Sequence, residues 1–180
     1  MKPILAFSLL AGLLAGCSSL RVTTDFAEDT DFAAFRTFQY RDSTNTVAVS
    51  SPLSHQRIVN AIRGGMVSSG FSEVNEDPDL FVTYYGTTDQ RTHFNTTYSG
   101  VNNWSGSRRH GPRMGFGVTS STTRPTTVTQ GTLVIDVWDA ASNSLIWRSV
   151  ATSALNSNPE RSTRAIHDSV ERAFRQFPPE

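Results

Sequence analysis

The chain has 180 residues, with 16 Lys and Arg against 16 Asp and Glu and a formal charge of zero. Without a basic excess it lacks the electrostatic footprint of a nucleic-acid binder, and no nucleic-acid partner is expected. One cysteine, Cys17, excludes an internal disulfide.

Met1-Lys2, an apolar run from Ile4 to Leu14, and Ala15-Gly16 follow the three-part plan of a secretory signal. The run is too short to span a bilayer, which takes about 20 residues. Leu14-Ala15-Gly16-Cys17 resembles the lipobox of bacterial lipoproteins. That resemblance implies cleavage before Cys17 and acylation of its thiol, palmitate being a typical acyl group. Ser18 after the cysteine, rather than Asp, favours the outer membrane, facing the periplasm. One acyl chain holds a protein only marginally, whereas two or three make a stable anchor. Residues 1–16 are thus expected to be a signal peptide. Residues 17–180 form one domain with its own core. Loss of Lys2 leaves 15 arginines against 16 acids. Lipidation would consume the only thiol.

Arg21 to Phe26 alternates polar and apolar residues and predicts a first strand. Asp31 to Phe35 is a turn or short helix, Arg36 to Tyr40 a second strand, and Arg41 to Ser51 a polar linker. Ser51-Pro52 opens a helix in which Ile58, Val59, Ile62 and Met66 form one apolar stripe. Gly64-Gly65 weakens that helix, and close approach to a sheet would explain the pair. Gly70 is placed to end it in a left-handed conformation. Phe71 to Val74 is a short strand, Asp77-Pro78-Asp79 a turn, and Leu80 to Tyr85 a strand buried in part on both faces.

Residues 87–127 are rich in Thr, Ser, Gly, Asn and Arg, with scattered aromatics. Thr92–Tyr98 and Gly115–Thr123 are expected to form a long exposed hairpin with its tip at Asn102–Gly111. Thr129 to Trp138 is the strongest strand, with Leu133, Ile135 and Val137 on one face. A turn at Asp139–Ser144 leads to a return strand, Leu145 to Thr152. Asn158-Pro159-Glu160 caps a last helix, whose stripe is Ile166, Val170, Ala173, Phe174 and Phe177. Three acid-before-base pairs line its outer face: Glu160–Arg164, Asp168–Arg172 and Glu171–Arg175. The order predicts an α+β domain: a mainly antiparallel sheet, two helices packed on one face, and a long exposed hairpin or loop insertion.

Few residues suggest chemistry. The four histidines, His55, His93, His110 and His167, show no metal-ligand spacing, and His55 and His167 fall on polar helix faces. No metal or cofactor is expected. Gly115-Phe116-Gly117 lacks the third glycine and following helix of a phosphate loop. Asp136 and Asp139 flank Trp138; turn chemistry accounts for Asp139, and burial or a cross-strand partner for Asp136. Trp104, Arg108, Arg109, His110 and Arg113 have the composition of a binding hot spot, for lipid headgroups, glycan strands or a protein. The plainer account is a loop kept soluble by its arginines.

Asp31-Phe32, Phe35-Arg36-Thr37-Phe38-Gln39-Tyr40, Gly70-Phe71 and Pro78-Asp79-Leu80-Phe81-Val82 occur in an order that resembles the DUF4136 lipoproteins. Gly131 to Asp139, Leu145-Ile146-Trp147-Arg148 and Phe177-Pro178-Pro179 complete the match over nearly all of residues 17–180. The resemblance implies a periplasm-facing lipoprotein domain with no established activity and supplies no catalytic residues. The expectation is a non-enzymatic binding or assembly accessory, held to the membrane by its N-terminal lipid, with an envelope protein or glycan as partner. The alternative is a hydrolase of cell-wall or lipid substrates. It requires titratable residues converging in a pocket, as Asp136, a histidine and a serine would if they met in a cleft.

Overall fold

The strongest apolar alternation in the chain forms the middle of a single sheet. The structure, a computed structural model, describes residues 20–42, 47, 50–100 and 119–179. Its strands are β1 (Arg21–Phe26), β2 (Thr37–Tyr40), β3 (Ser72–Glu73), β4 (Leu80–Gly100), β5 (Thr119–Asp139) and β6 (Leu145–Ala154). The helices are α1 (Pro52–Ser68) and α2 (Pro159–Phe174), with a 3-10 turn at Phe32–Ala34. The sheet order is β1-β6-β5-β4-β2-β3. Pairing is antiparallel from β1 through β6 and β5 to β4. The expected α+β architecture is present.

Two pairings differ from the simplest reading of short turns: β2 runs parallel to both β3 and β4. Parallel neighbours need a crossover of a dozen or more residues. The β2–β3 connection supplies one, because it contains α1.

Strand alternation sorts the side chains by face. Phe38, Val82, Tyr84, Ile135, Val137 and Trp147 point toward the helices and are buried. Ile58, Val59, Ile62 and Met66 of α1 meet them, as do Val170, Ala173 and Phe174 of α2 and Phe177 beyond it. Each fully buried side chain of this size stabilises by about 1.5–3 kcal/mol relative to exposure. Trp147, Phe174 and Phe177 pack ring against ring at 5.0–5.9 Å between centroids. The opposite face carries Phe81, Asp136 and Arg148. Phe81 is buried there under the Arg41 guanidinium, 3.1 Å from the ring centroid. Leu80, Phe81 and Val82 are therefore buried in succession, as the sequence implied.

The helix ends are built locally. Gly70, at φ 94°, closes α1. The Gly70 N–H donates to the Val67 carbonyl and the Phe71 N–H to the Met66 carbonyl, which is a Schellman motif. The Asn158 side chain accepts from the N–H groups of Glu160 and Arg161 and caps α2. Ser51 does not cap α1 in that way; its hydroxyl donates to the Ser54 hydroxyl at 2.8 Å. Of the glycine pair, Gly65 answers a close approach, but to the ring of Phe174 in α2 and not to the sheet. A side chain at Gly64 would meet nothing within 4 Å. On the outer face of α2, Glu171 and Arg175 close at 2.6 Å.

Candidate functional site

Three features share one end of the sheet. Arg21 pairs with Thr152, Thr152 with Thr132, and Thr132 with Thr87. The first described residues thus emerge beside the root of the β4–β5 hairpin. The helices α1 and α2 also begin at that end, their first turns bordering a cleft on the hairpin root.

The hairpin keeps unbroken antiparallel register from Leu80↔Asp139 to Gly100↔Thr119. β6 accompanies β5 only as far as Gln130. From Arg91 to Gly100 and from Thr119 to Val128 the ribbon has two strands. At about 3.4 Å per residue it projects roughly 30–35 Å. A two-stranded ribbon alone is marginal in water. Cross-strand threonine pairs, Thr92–Thr127 at 3.3 Å and Thr96–Thr123 at 2.9 Å, support this one. Alternation gives it two unlike faces. Phe94 and Tyr98, 71% and 73% exposed, continue the helix-facing side of the sheet. Arg91, His93 and Arg124 occupy the other side. From Gln90 to Ile135 the sequence holds five arginines and no acid, leaving 11 Lys and Arg against 16 acids elsewhere. The charge balance of the whole chain hides this local basic excess.

At the hairpin root a cleft of about 260 Å³ opens between the N-terminal halves of α1 and α2. Its floor is the sheet at Gly86, Gly131 and Leu133; Ile58 and Ile166 wall it from the two helices. Val47 and Leu155 close its ends, and they explain the glycines. A Cβ at Gly86 would stand 2.5 Å from the Val47 side chain, and one at Gly131 would stand 2.7 Å from that of Leu155. Serine hydroxyls from Ser50, Ser54 and Ser162 edge the cleft, and no ionisable side chain lines it among the described residues. The sequence reading missed this site because its residues come from five separate segments. The two glycines inside strands, Gly86 and Gly131, were the available signal. A second depression, about 460 Å³, is shallow and lies beside β1, lined by Leu20, Arg21, Val22, Arg172, Arg175 and Gln176.

The residues singled out from sequence fall in several places. Cys17, Trp104, Arg108, Arg109, His110 and Arg113 lie outside the described residues, as do Gly115-Phe116-Gly117 and the hairpin tip. Asp136 is fully buried and accepts a bidentate pair from Arg148, Nε at 2.7 Å and Nη2 at 2.8 Å. Asp139 is held by turn chemistry, accepting from the Ser142 hydroxyl and the Ala141 N–H. Those bonds hold its carboxyl below the ordinary carboxylate range. His93 and His167 are exposed. His55 departs from the expected surface position: it faces the sheet, with Nδ1 2.6 Å from the Tyr84 hydroxyl. Burial first, and then the Asp42 charge, push the Tyr84 hydroxyl up to about 12. The same causes raise Tyr40. Asp136 and His55 stand on opposite faces of the sheet, because the first pairs with Thr83 and the second meets Tyr84. Among the described residues no group of His, Cys, Asp and Glu is arranged to hold a metal. No described helix is long and apolar enough to cross a membrane.

Comparison with known proteins places this fold. The profile of the domain of unknown function DUF4136 matches residues 22–179. A search of curated proteins finds no match. Among solved structures, the chain is similar to a PDZ domain protein from Parabacteroides distasonis, with 14% identity and a TM-score of 0.55. The match covers 91% of this chain and 37% of that one, so the chain spans little more than a third of that protein. It is also similar to PelC from Paraburkholderia phytofirmans, crystallised as a dodecamer, with 7% identity and a TM-score of 0.48. That match covers 86% of this chain and 94% of PelC. The chain belongs to the DUF4136 family.

Proposed function

We propose that this DUF4136 protein is a lipid-anchored, non-enzymatic binding or assembly accessory at the periplasmic face of the outer membrane. The observation that carries this reading is the cleft, uncharged among the described residues, at the end of the sheet where the first described residues and the hairpin root lie. Among the described residues the cleft offers no ionisable side chain to act as acid or base, and its lining can hold an apolar ligand. The lipobox-like Leu14-Ala15-Gly16-Cys17 supplies the anchor in this reading. Only Ser18, Ser19 and Leu20 would separate Cys17 from β1. Three residues span at most about 10 Å. The bilayer would therefore lie next to the cleft and the hairpin root. The exposed basic and aromatic faces of the hairpin are suited to an envelope partner with anionic groups, protein or glycan.

Metabolic labelling with palmitate and fractionation of the wild type and Cys17→Ala test the anchor. The wild type takes up label and sediments with outer membranes. Cys17→Ala takes up none and loses its outer-membrane position. An unlabelled wild type overturns the reading.

A further inference from the structure

The cleft has a shape and chemistry that select a ligand class. We propose that it binds one unbranched acyl chain, carried by a free fatty acid or by a phospholipid. This deepens the binding reading above and does not require Cys17 to be lipidated.

The cleft measures about 260 Å³, just below the roughly 300–1,000 Å³ of ordinary small-molecule sites. Its occupant is therefore slender. Gly86 and Gly131 admit the Val47 and Leu155 side chains that close the ends, Leu133 lies on the floor, and Ile58 and Ile166 supply aliphatic walls. Among the described residues no aromatic ring lines it for a sugar or base to stack on, and no charged side chain lines it to hold an ionic group inside. Apolar surface with hydroxyls along its edge suits a hydrocarbon chain whose headgroup stays at the mouth. The Ser54 and Ser162 hydroxyls, in the first turns of α1 and α2, are placed to hydrogen-bond such a head. Outside the mouth the same face of the sheet runs on into Phe94 and Tyr98 of the hairpin. A chain leaving a bilayer would meet apolar surface along that route.

The test titrates the full chain carrying Cys17→Ala with dansylaminoundecanoic acid and follows the dansyl fluorescence. Octanoic, decanoic and dodecanoic acids and lysophosphatidylglycerol then compete for the site. Each added methylene within the cleft is expected to tighten competition about four-fold. Displacement by the lysolipid as well as the acids assigns the chain to a phospholipid; displacement by the acids alone assigns it to a free fatty acid. Ala165→Phe and Ser162→Trp, both at half-buried lining positions, fill the cleft and weaken the probe at least about ten-fold in this estimate of lost burial. The apolar leader is present in parent and variants alike, so it cancels in that comparison. Equal affinity in parent and folded filled variants, or no dependence on chain length, overturns the proposal. A thermal melt identifies a variant that fails to fold, and the chain-length series on the parent then decides. Probe binding with an unlabelled Cys17 removes the anchor and keeps the cleft; the reverse result keeps the anchor and removes the cleft.

Discussion

Asp79 shows how one side chain fastens two segments 42 residues apart in sequence. Its Oδ2 accepts from the Arg36 N–H at 2.8 Å and from the Thr37 N–H and hydroxyl at 2.9 Å. The Asp79 N–H returns a bond to the Thr37 hydroxyl at 2.9 Å. This exchange aligns the start of β2 beside β4, where no hairpin turn can do so. The backbone bonds from Arg36 and Thr37 hold the Asp79 carboxyl below its ordinary 3.8. A lowered folded value means that this stabilisation is present above pH 3.8 and is lost as pH falls through the folded value. Asp79→Asn should cost about 1–2 kcal/mol at neutral pH, the solvent around the carboxylate reducing the usual worth of charged hydrogen bonds. Denaturant melts from pH 7 to about 2 should show a shallower acid loss in the variant than in the wild type. An identical acid limb in both would count against the bridge.

Gly64 and Gly65 separate helix propensity from packing at the level of the element. Both weaken α1 as an isolated helix, by about 1 kcal/mol each relative to Ala. Their surroundings differ. Gly64 looks into open space, whereas Gly65 lies against Phe174, itself locked among Trp147 and Phe177. Gly64→Ala should raise stability by about 0.5–1 kcal/mol. Gly65→Ala should lower it by about 1–3 kcal/mol, because the ring has no room to yield. Equilibrium urea melts of the two single variants check both signs. If both variants are stabilised, α1 and α2 do not meet at Gly65 as described.

Charge is polarised among the described residues. The basic ribbon extends from one end of the sheet, and Asp25, Asp31, Asp79 and Asp139 lie at the other, where β1 and β5 end and β4 begins. Among the described residues, the ribbon beyond Gln90 contributes none to the buried core. Replacing residues 91–128 with an Asn-Gly turn should therefore leave Tm within a few degrees, since the described residues removed are exposed or outside the core. In envelope crosslinking the same excision should strip the partner set seen with the intact chain. An unchanged partner set would locate binding away from the hairpin.

The legible parts of the fold were those set by short-range pattern. Alternation marked the strands, helical stripes marked the core faces of α1 and α2, and Gly70 marked a helix end, because each signal depends on neighbours within a few residues. Asp136 was legible as a group needing a partner, since burying a carboxylate on a central strand is costly unless it is paired. Its partner Arg148 follows once the hairpin register is known. His55 was misjudged as a surface residue because its contact, Tyr84, lies 29 residues away on a strand. The parallel placement of β2, the clash behind Gly65 and the cleft all join segments remote in sequence. Their geometry follows from how the helices cross the sheet, and no local periodicity encodes that. The sequence by itself determined the α+β class, the core-facing residues and the DUF4136 membership. Only the tertiary structure decided that the first described residues, the root of the hairpin and the cleft share one end of the sheet, because strand pairing sets that arrangement over long range.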